Sequence, residues 1–442
     1  MSSLLIQHGR VISPADALDA PLDVLVKDGL ISALGPALQA PSADVIDARG
    51  LVVSPGFVDI HVHLREPGGE ASETLETGLA AAVAGGFTAV CPMPNTRPVM
   101  DRPGSVRWQI ERAREIGLAR AYPIAAVTLG SGGEALADLP ALAAAGAVAF
   151  SDDGRPVKTA GLVRAALKLA HDLGVPLIEH CEDPSLSAGG VLNEGPVAEQ
   201  LGLKGIPRSS EEVCLARDLV LAAETGAHLH VAHLSTARSV EMVRAARSRG
   251  IHVTAEVTPH HFTLTDEAVP RYGTAAKMNP PLRTARDVEA IFGGLADGTI
   301  DAIATDHAPH ACELKARPLE DAPFGVTGLE TAFGLAMTYL VHTGRISLAD
   351  LIRLLSVNPA GIIRRPGGRI QIGGPADLTL FDPDREWTYS VAEGRSRSRN
   401  SPFDNWKLKG AVAATVVAGR VVHRVASASR ETGFTCSPDL ST

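Results

Sequence analysis

Short apolar runs alternate with longer helical stretches through the middle of this chain. Strands are predicted at 56–63, 87–93, 120–128, 146–152, 175–181, 228–234, 251–258 and 301–306. Stretches rich in Ala, Leu, Glu and Arg separate most of them, for example Glu73–Ala84, Gly161–Leu173, Ser210–Thr225 and Ala237–Arg249. Strands joined by helical crossovers in this number predict an α/β fold of the (β/α)8 TIM-barrel type, with an open doubly wound sheet as the structural alternative.

Both ends of the chain have a different pattern, in which short strand-like runs are separated by Gly, Pro and Asp. These runs are Leu4–Ile6, Leu22–Lys27, Leu30–Leu34, Asp44–Ile46 and Leu51–Val53 at one end, and Arg369–Ile372, Asp377–Asp382 and Ala411–His423 at the other. The last run is predicted to be a hairpin that turns at Gly419. Because a closed barrel returns its end close to its start, the two sets are predicted to form one small composite β-sandwich domain.

The predicted division therefore has a composite β-domain from residues 1–53 plus 365–425 and a barrel domain from 54–364. Residues 426–442, rich in Ser and Thr, are predicted to be a disordered tail. With 442 residues and 45% hydrophobic content, the chain can fill one large core and a smaller one.

Charge and cysteine content restrict the function classes. The 41 Lys and Arg against 50 Asp and Glu, a net charge of -9, argue against a general nucleic-acid-binding surface. The five cysteines are odd in number and scattered, which is typical of reduced thiols inside a cell. No apolar run approaches the roughly 18 residues of a membrane span, so we expect a cytoplasmic protein without a membrane partner.

Candidate metal ligands occur where the predicted strands end. His61 and His63 lie two residues apart near the end of the first strand, so the pleat places both imidazoles on one face. A pair of core histidines would explain this motif alone equally well. Later strand ends add Asp153, His180, His233 and Asp306, and in a barrel all of these ends meet at one rim. This ligand set predicts one or two divalent ions, with Zn²⁺ the best fit and Asp153 placed to bridge them.

Three assignments near that rim depend on the pleat. Small Ala149 and Ser151 suit a barrel interior and Phe150 suits the helix-facing side, so Asp153 rather than Asp152 is predicted to point inward. His228 and His230 fall on the opposite pleat from His233 and are predicted to face the helices. Cys181 adjoins a ligand and could compete for the ion as a thiolate, but a small buried apolar residue is the simpler interpretation.

Four separated motifs resemble a known family. They are His61-Val-His63-Leu-Arg65-Glu-Pro-Gly, Pro92-Met-Pro-Asn95-Thr, Lys277-Met-Asn279-Pro-Pro-Leu-Arg283 and Asp306-His-Ala-Pro-His310. Together they resemble the class I dihydroorotases of the amidohydrolase superfamily, over nearly the whole chain. The resemblance implies that the metal ligands are His61, His63, Asp153, His180, His233 and Asp306. It also implies that the substrate is contacted by His63, Arg65, Asn95, Asn279, His310 and the backbone of Phe324 and Gly325.

The function implied by this resemblance is the zinc-dependent, reversible cyclisation of N-carbamoyl-L-aspartate to L-dihydroorotate in pyrimidine biosynthesis. A metal-bound hydroxide would be the nucleophile, and Asp306 the general acid and base. Arg65 can offer a planar fork to a substrate carboxylate, although a rim salt bridge, for example with Glu66, would also explain an arginine there. Residues 321–328, after the charged loop 311–320, are predicted to be a mobile cover with glycine hinges.

Two rival functions differ from this one. Hydantoinases, allantoinases and some dihydroorotases bridge their metals with a carboxylated lysine, but this chain has Ala149-Phe-Ser-Asp-Asp-Gly at that point, and the nearest lysine is Lys158. An inactive relative that serves as a scaffold for aspartate transcarbamoylase would not need the complete ligand set. The expected partners are the small-molecule substrate and a second copy of the chain in a homodimer. A complex with aspartate transcarbamoylase is a further expected possibility.

Overall fold

The computed structural model describes residues 3–425, so the tail predicted at 426–442 lies outside the described residues. Its strands are short in the middle of the chain and long at the ends. They are β1 Ser3–Ser13, β2 Leu18–Lys27, β3 Leu30–Gly35, β4 Asp44–Asp47, β5 Val52–Pro55, β6 Phe57–Val62, β7 Phe87–Pro92, β8 Arg120–Ala121, β9 Ile124–Ala125, β10 Ala149–Phe150, β11 Leu177–Glu179, β12 Leu192–Asn193, β13 Gly205–Ile206, β14 Leu229–Val231, β15 Val253–Val257, β16 Ala302–Ile303, β17 Leu378–Thr388, β18 Lys407–Val417 and β19 Arg420–Arg424.

The α-helices lie mainly between the central strands. They are α1 Leu75–Ala84, α2 Pro103–Ile116, α3 Leu139–Ala144, α4 Ala160–Leu173, α5 Pro184–Ser187, α6 Pro196–Leu201, α7 Arg208–Thr225, α8 Ala237–Ser248, α9 Pro259–Thr263, α10 Val269–Tyr272, α11 Ala285–Ala296, α12 Cys312–Lys315, α13 Ala332–Ala336, α14 Leu348–Ile352 and α15 Asn358–Ile362. Short 3₁₀ helices occupy Pro14–Asp16, Leu129–Ser131, Asp266–Ala268, Gly273–Ala276 and Val391–Glu393, and π-helical turns occupy Met337–Val341 and Arg353–Val357. Across residues 3–425, no helix is both long and apolar enough to cross a bilayer.

The strands from the two ends of the chain share one eight-stranded sheet. Its order is β19-β18-β17-β5-β1-β2-β3, with β4 paired to β1. The junction is β5, which runs parallel to β1 and antiparallel to β17. The predicted hairpin is confirmed, because Ala418 and Gly419 turn the chain between β18 and β19 with φ of 49° and 75°. The apolar residues of both ends therefore pack into a common core.

One predicted terminal strand is wrong. Arg369–Ile372 is not extended in a sheet, although Ile370 is buried against the strands around it. Glycines flank this segment, and Gly367, Gly368 and Gly373 have φ of 149°, 70° and 83°. Positive φ at both sides turns the backbone away from a continuous strand.

Each of the eight predicted central strands is present, and each is shorter than predicted. One sheet has the order β6-β7-β8 and another β16-β15-β14-β11-β10-β9, and their pairs are parallel. The strand predicted at 120–128 is divided into β8 and β9 around Pro123, which has no N–H for the ladder. An isolated parallel bridge joins Val62 to His307, and the His63 amide donates to the His307 carbonyl at 2.8 Å. The last central strand thus runs next to the first.

The four predicted helices are also present as α1, α4, α7 and α8, with ends displaced by at most two residues. Threonine side chains cap the N-termini of three of them. Thr74, Thr159 and Thr236 each accept a hydrogen bond from a backbone amide in the first turn of a helix. These caps end the loops that follow the carboxyl ends of the strands, where the candidate site lies.

Candidate metal centre and active site

Four histidines and two aspartates converge at the carboxyl ends of the central parallel strands. His61 lies in β6, and the other five follow β6, β10, β11, β14 and β16: His63, Asp153, His180, His233 and Asp306. All six side chains are buried, with 0% to 6% of each residue exposed. Residues as distant in sequence as His61 and Asp306 come together because the carboxyl ends of neighbouring parallel strands lie at the same edge of the sheet.

Asp153 lies at the centre of this cluster. Its Oδ1 is 3.4 Å from His61 Nε2, 3.6 Å from His180 Nδ1 and 3.5 Å from His233 Nε2. Its Oδ2 is 3.3 Å from His63 Nε2. One carboxylate therefore faces all four imidazoles, which is the position that a bridging ligand requires.

Asp306 lies on the other side of the first two histidines. Its Oδ1 is 3.0 Å from His63 Nε2 and 3.6 Å from His61 Nε2. Two overlapping groups result, one of His61, His63 and Asp306 and one of His61, Asp153 and His233. Within each group the ligand atoms lie within 4.8 Å of one another.

Three buried atoms of these six residues have no hydrogen-bond partner among residues 3–425. They are His61 Nε2, Asp153 Oδ1 and His233 Nδ1, and the first two lie 3.4 Å apart. An unpaired buried polar atom costs free energy unless another group satisfies it. A divalent cation is the group that accepts nitrogen and carboxylate donors together, so the residues present fit a metal centre.

The charges of the cluster are strongly coupled. Burial by itself raises the pKa of Asp153, but the charge of His61 and contacts with His180 and His233 hold this pKa well below its usual range. Burial lowers the pKa of His61, yet Asp153 and Glu256 raise it well above the usual value. The carboxylates remain ionised at neutral pH, as metal ligands must.

Asp152, which was not predicted to be a metal ligand, forms hydrogen bonds outside the cluster. Its Oδ1 accepts the amides of Val127 at 2.9 Å and Thr128 at 3.1 Å, and its Oδ2 accepts the Thr128 hydroxyl. Asp152 therefore joins the end of β10 to the segment after β9. Cys181 is buried outside the histidine cluster, in a separate group with Cys214 and Asp218.

The prediction for His228 and His230 is wrong. His230 Nε2 is 3.1 Å from Glu256 Oε2, and Glu256 Oε1 is 2.6 Å from His61 Nδ1, so His230 lies on the same side as the ligands. His228 Nε2 contacts the Thr254 hydroxyl, on the same face of β15 as Glu256. The pleat argument fails because β14 ends at Val231 and His233 has a φ of 32°, which breaks the alternation.

Glu256 is a functional residue that the sequence analysis missed. It is fully buried in β15, and His61 holds its pKa low, at about 2, against the effect of burial. Glu256 accepts a hydrogen bond from His61 Nδ1 and so directs Nε2 at the cluster, where Nε2 would lose its proton on binding a metal ion. A charged residue inside the apolar run Val253–Val257 was the available signal.

Glu182 is a second missed residue. Its Oε2 lies 2.8 Å from His180 Nε2 and accepts Asn279 Nδ2 at 2.7 Å. Although burial raises its pKa, His180 and Asn279 lower it to about 2, so the carboxylate is charged at neutral pH. Glu182 thus connects a predicted metal ligand to a predicted substrate contact.

Replacing Glu182 with Gln is expected to lower metal affinity about 10-fold or more, because the hydrogen bond that orients His180 loses its charge. Metal content after dialysis against a graded chelator measures this effect. Glu199→Gln, at an exposed position of α6, is the matched control. Equal metal retention in both variants would contradict an orienting role for Glu182.

The predicted substrate contacts surround the cluster. Arg65 Nε donates to the Pro309 carbonyl at 3.1 Å, and its Nη2 is 3.4 Å from His310 Nε2. Glu66 is not its partner, since Glu66 Oε2 accepts the Leu75 amide at 2.6 Å. Between residues 3 and 425, no carboxylate forms an ion pair with Arg65, whose pKa burial lowers only to about 10.

The other predicted contacts have partners of their own. Asn95 Oδ1 is 2.9 Å from His63 Nδ1, so this amide orients a predicted ligand. His310 Nε2 donates to the Phe324 carbonyl at 2.7 Å. Burial and the charge of Arg65 lower the pKa of His310 to about 3, which leaves its imidazole neutral at pH 7.

Comparison with known proteins agrees with this geometry. Residues 50–239 match the family model described as Dihydro-orotase-like. The dihydroorotase of Pelotomaculum thermopropionicum is 52% identical over 419 residues, covering 95% of this chain and 98% of that protein. The dihydroorotase of Syntrophotalea carbinolica is 49% identical over 422 residues, covering 96% and 99%.

This chain belongs to the dihydroorotase family. Among solved structures, the L-hydantoinase (dihydropyrimidinase) from Arthrobacter aurescens superposes with a TM-score of 0.86 at 27% identity, covering 96% of each chain. The fold is therefore shared with hydantoinases, whereas the sequence is much closer to the dihydroorotases.

Proposed function

We propose that this chain is a dihydroorotase that interconverts N-carbamoyl-L-aspartate and L-dihydroorotate in pyrimidine biosynthesis. The observation that carries the proposal is Arg65, a partly buried guanidinium near the cluster of predicted ligands with no carboxylate in an ion pair with it among residues 3–425. Dihydroorotate and carbamoyl-aspartate both bring a carboxylate to that position. Near-full-length relatives of about half identity are named dihydroorotases, which agrees with this choice.

The proposed chemistry divides the work between the ions and the side chains. The four histidines and two aspartates would hold the divalent ions, which when bound would supply a nucleophilic water at neutral pH and polarise the carbonyl under attack. In the hydrolytic direction, the Asp306 carboxylate takes the proton from the attacking water and passes it to the departing ring nitrogen. Arg65 holds the substrate carboxylate and so fixes the ring relative to Asp306.

A hydantoinase function is less well supported. Hydantoin has no carboxylate for Arg65, and the central bridging position is occupied by Asp153, which needs no carbon dioxide to become a ligand. The inactive scaffold is also less well supported, because all six predicted ligands are present and converge. Zn²⁺ is the proposed metal, since its preferred ligands are nitrogen and carboxylate donors.

The finer features of the proposal concern architecture and partners. The central strands would close into a (β/α)8 barrel, residues 54–364, beside a composite β-domain of 1–53 and 365–425. The bridge between Val62 and His307 and the pairing of β5 with β17 support this division. The proposal also places the protein in the cytoplasm as a homodimer, and it includes a complex with aspartate transcarbamoylase.

The deciding experiment is turnover of L-dihydroorotate by zinc-loaded protein, with hydantoin as the competing substrate and with metal analysis of the same sample. The assay is run with and without aspartate transcarbamoylase. We expect turnover of dihydroorotate and little of hydantoin. Strong hydantoin turnover with none of dihydroorotate, in the presence and absence of the partner, would overturn the proposal.

Asp153→Ala is expected to lower metal occupancy, because one carboxylate that faces four imidazoles is lost. Asp152→Ala is the matched control, since its carboxylate binds backbone amides instead. Activity of the wild-type protein is expected to survive preparation without bicarbonate. Full metal loading of Asp153→Ala, together with metal loss in Asp152→Ala, would show that the wrong acid was chosen.

A further inference from the structure

Lys315, at the end of α12, is a buried lysine without an acidic partner among the described residues. Only 8% of the residue is exposed. Its Nζ donates to three backbone carbonyls, those of Lys277 at 3.3 Å, Pro323 at 3.0 Å and Gly325 at 3.0 Å. All three protons of an ammonium group are used in this way.

The three carbonyls belong to two segments that carry predicted substrate contacts. Lys277 begins the motif that contains Asn279, and Pro323 and Gly325 flank Phe324. The Gly325 amide donates to the Lys277 carbonyl at 2.9 Å, so the segments also touch directly. Lys315 therefore lies at the junction of the two.

The second segment is also held at Phe324, whose carbonyl accepts from His310 Nε2 at 2.7 Å and whose ring centroid lies 4.5 Å from Lys277 Nζ, so at Gly325 the backbone must supply the attachment. Gly325 has a φ of 137°, and a Cβ there would lie 2.7 Å from Ala308 Cβ and 3.0 Å from His310 Nε2. The position requires glycine, so no side chain at 325 can anchor the loop. Within residues 3–425, the one donor to the Gly325 carbonyl besides Lys315 is Asn400 Nδ2, at 3.0 Å.

We propose that Lys315 is a positioning residue that joins the 277–279 and 323–325 segments and so shapes the substrate pocket. This inference rests on the proposed function, because those segments are the predicted substrate contacts. A charged donor is suited to the task, since its hydrogen bonds to carbonyls are stronger than those of a neutral donor. Burial and the charge of Lys277 lower the pKa of Lys315 to about 7, and only the protonated ammonium has a proton for each of the three carbonyls.

The test is Lys315→Met, which keeps the length and apolar stem and removes the three donors. We expect KM for dihydroorotate to rise about 10-fold or more, while kcat changes less than about threefold and metal content is unchanged. Arg317→Met, at an exposed position of the same loop, is the matched control and is expected to leave both constants unchanged. Lys315→Gln, with two donors, is expected to give an intermediate KM.

Hydrogen exchange gives a readout that does not depend on the substrate. In Lys315→Met, amides of 277–279 and 323–325 are expected to exchange faster than in the wild-type protein, and those of the central strands at an unchanged rate. If wild-type protein does not turn over dihydroorotate, the proposed function fails, and faster exchange confined to these segments still supports the junction.

Three results would overturn the inference. They are an unchanged KM in folded Lys315→Met, faster exchange across the whole chain, and failure of both Lys315 variants to fold. The last two would make Lys315 a contributor to global stability.

Discussion

Asp306→Asn is expected to lose on the order of 100-fold or more in kcat for hydrolysis of dihydroorotate, the size typical of general acid–base catalysis. Asparagine keeps the shape of the side chain and one ligand oxygen but cannot take a proton. The Oδ1 atom of Asp306 is 3.0 Å from His63 Nε2, so most of the metal site is expected to remain. Kinetic constants and metal content, measured on the same preparation, check the result.

The pH dependence follows from the same carboxylate. Although burial raises the pKa of Asp306, His61 and His63 hold it below the usual range, so the base form is present at neutral pH and is lost only on acidification. The hydrolysis rate is expected to fall at low pH, whereas the reverse cyclisation favours the protonated form. Asp384→Asn, at an exposed position, is the control.

Near-wild-type hydrolysis by Asp306→Asn with normal metal content would assign the proton transfer to another group. His310 would be the first to examine. Its neutral imidazole already donates Nε2 to the Phe324 carbonyl, which leaves Nδ1 as the atom able to accept a proton.

Arg65→Met is expected to lower kcat/KM for dihydroorotate by about 30-fold to several thousandfold, because an unpaired buried charge on the substrate costs about 2–5 kcal/mol. Metal content is expected to be unchanged, since Arg65 contacts Pro309 and His310 rather than the cluster of ligands. Steady-state kinetics with metal analysis provide the measurement.

Two comparisons make this result specific. Arg65→Lys keeps the charge but loses the planar fork, so an intermediate loss is expected. Any residual turnover of hydantoin, which lacks the carboxylate, is expected to change little in Arg65→Met. An equal loss for both substrates would show that Arg65 supports the fold of the loop instead of recognising the carboxylate.

Much of the fold could be predicted because local patterns are strong where side chains are buried on both faces. The strands Phe57–Val62, Phe87–Pro92 and Val253–Val257 consist mostly of apolar or β-branched residues, and such short runs have few alternatives. Strand ends were less predictable. The end of β14 at Val231 and the φ of 32° at His233 depend on how the chain turns toward the site.

By itself, the sequence determined which side chains stand at the ends of the parallel strands, and therefore the candidate ligand set from His61 to Asp306. It contained one local signal for Glu256, a charge inside an apolar strand, and none for Glu182, and it could not show the partners of either residue because those contacts form only on folding. Glu256 meets His61 across 195 positions, and Asn279 meets Glu182 across 97. Local periodicity specifies the direction of a side chain only while a strand continues. Contacts between strand ends are decided by packing of the whole chain, so only the tertiary structure could place the acids that orient the ligands.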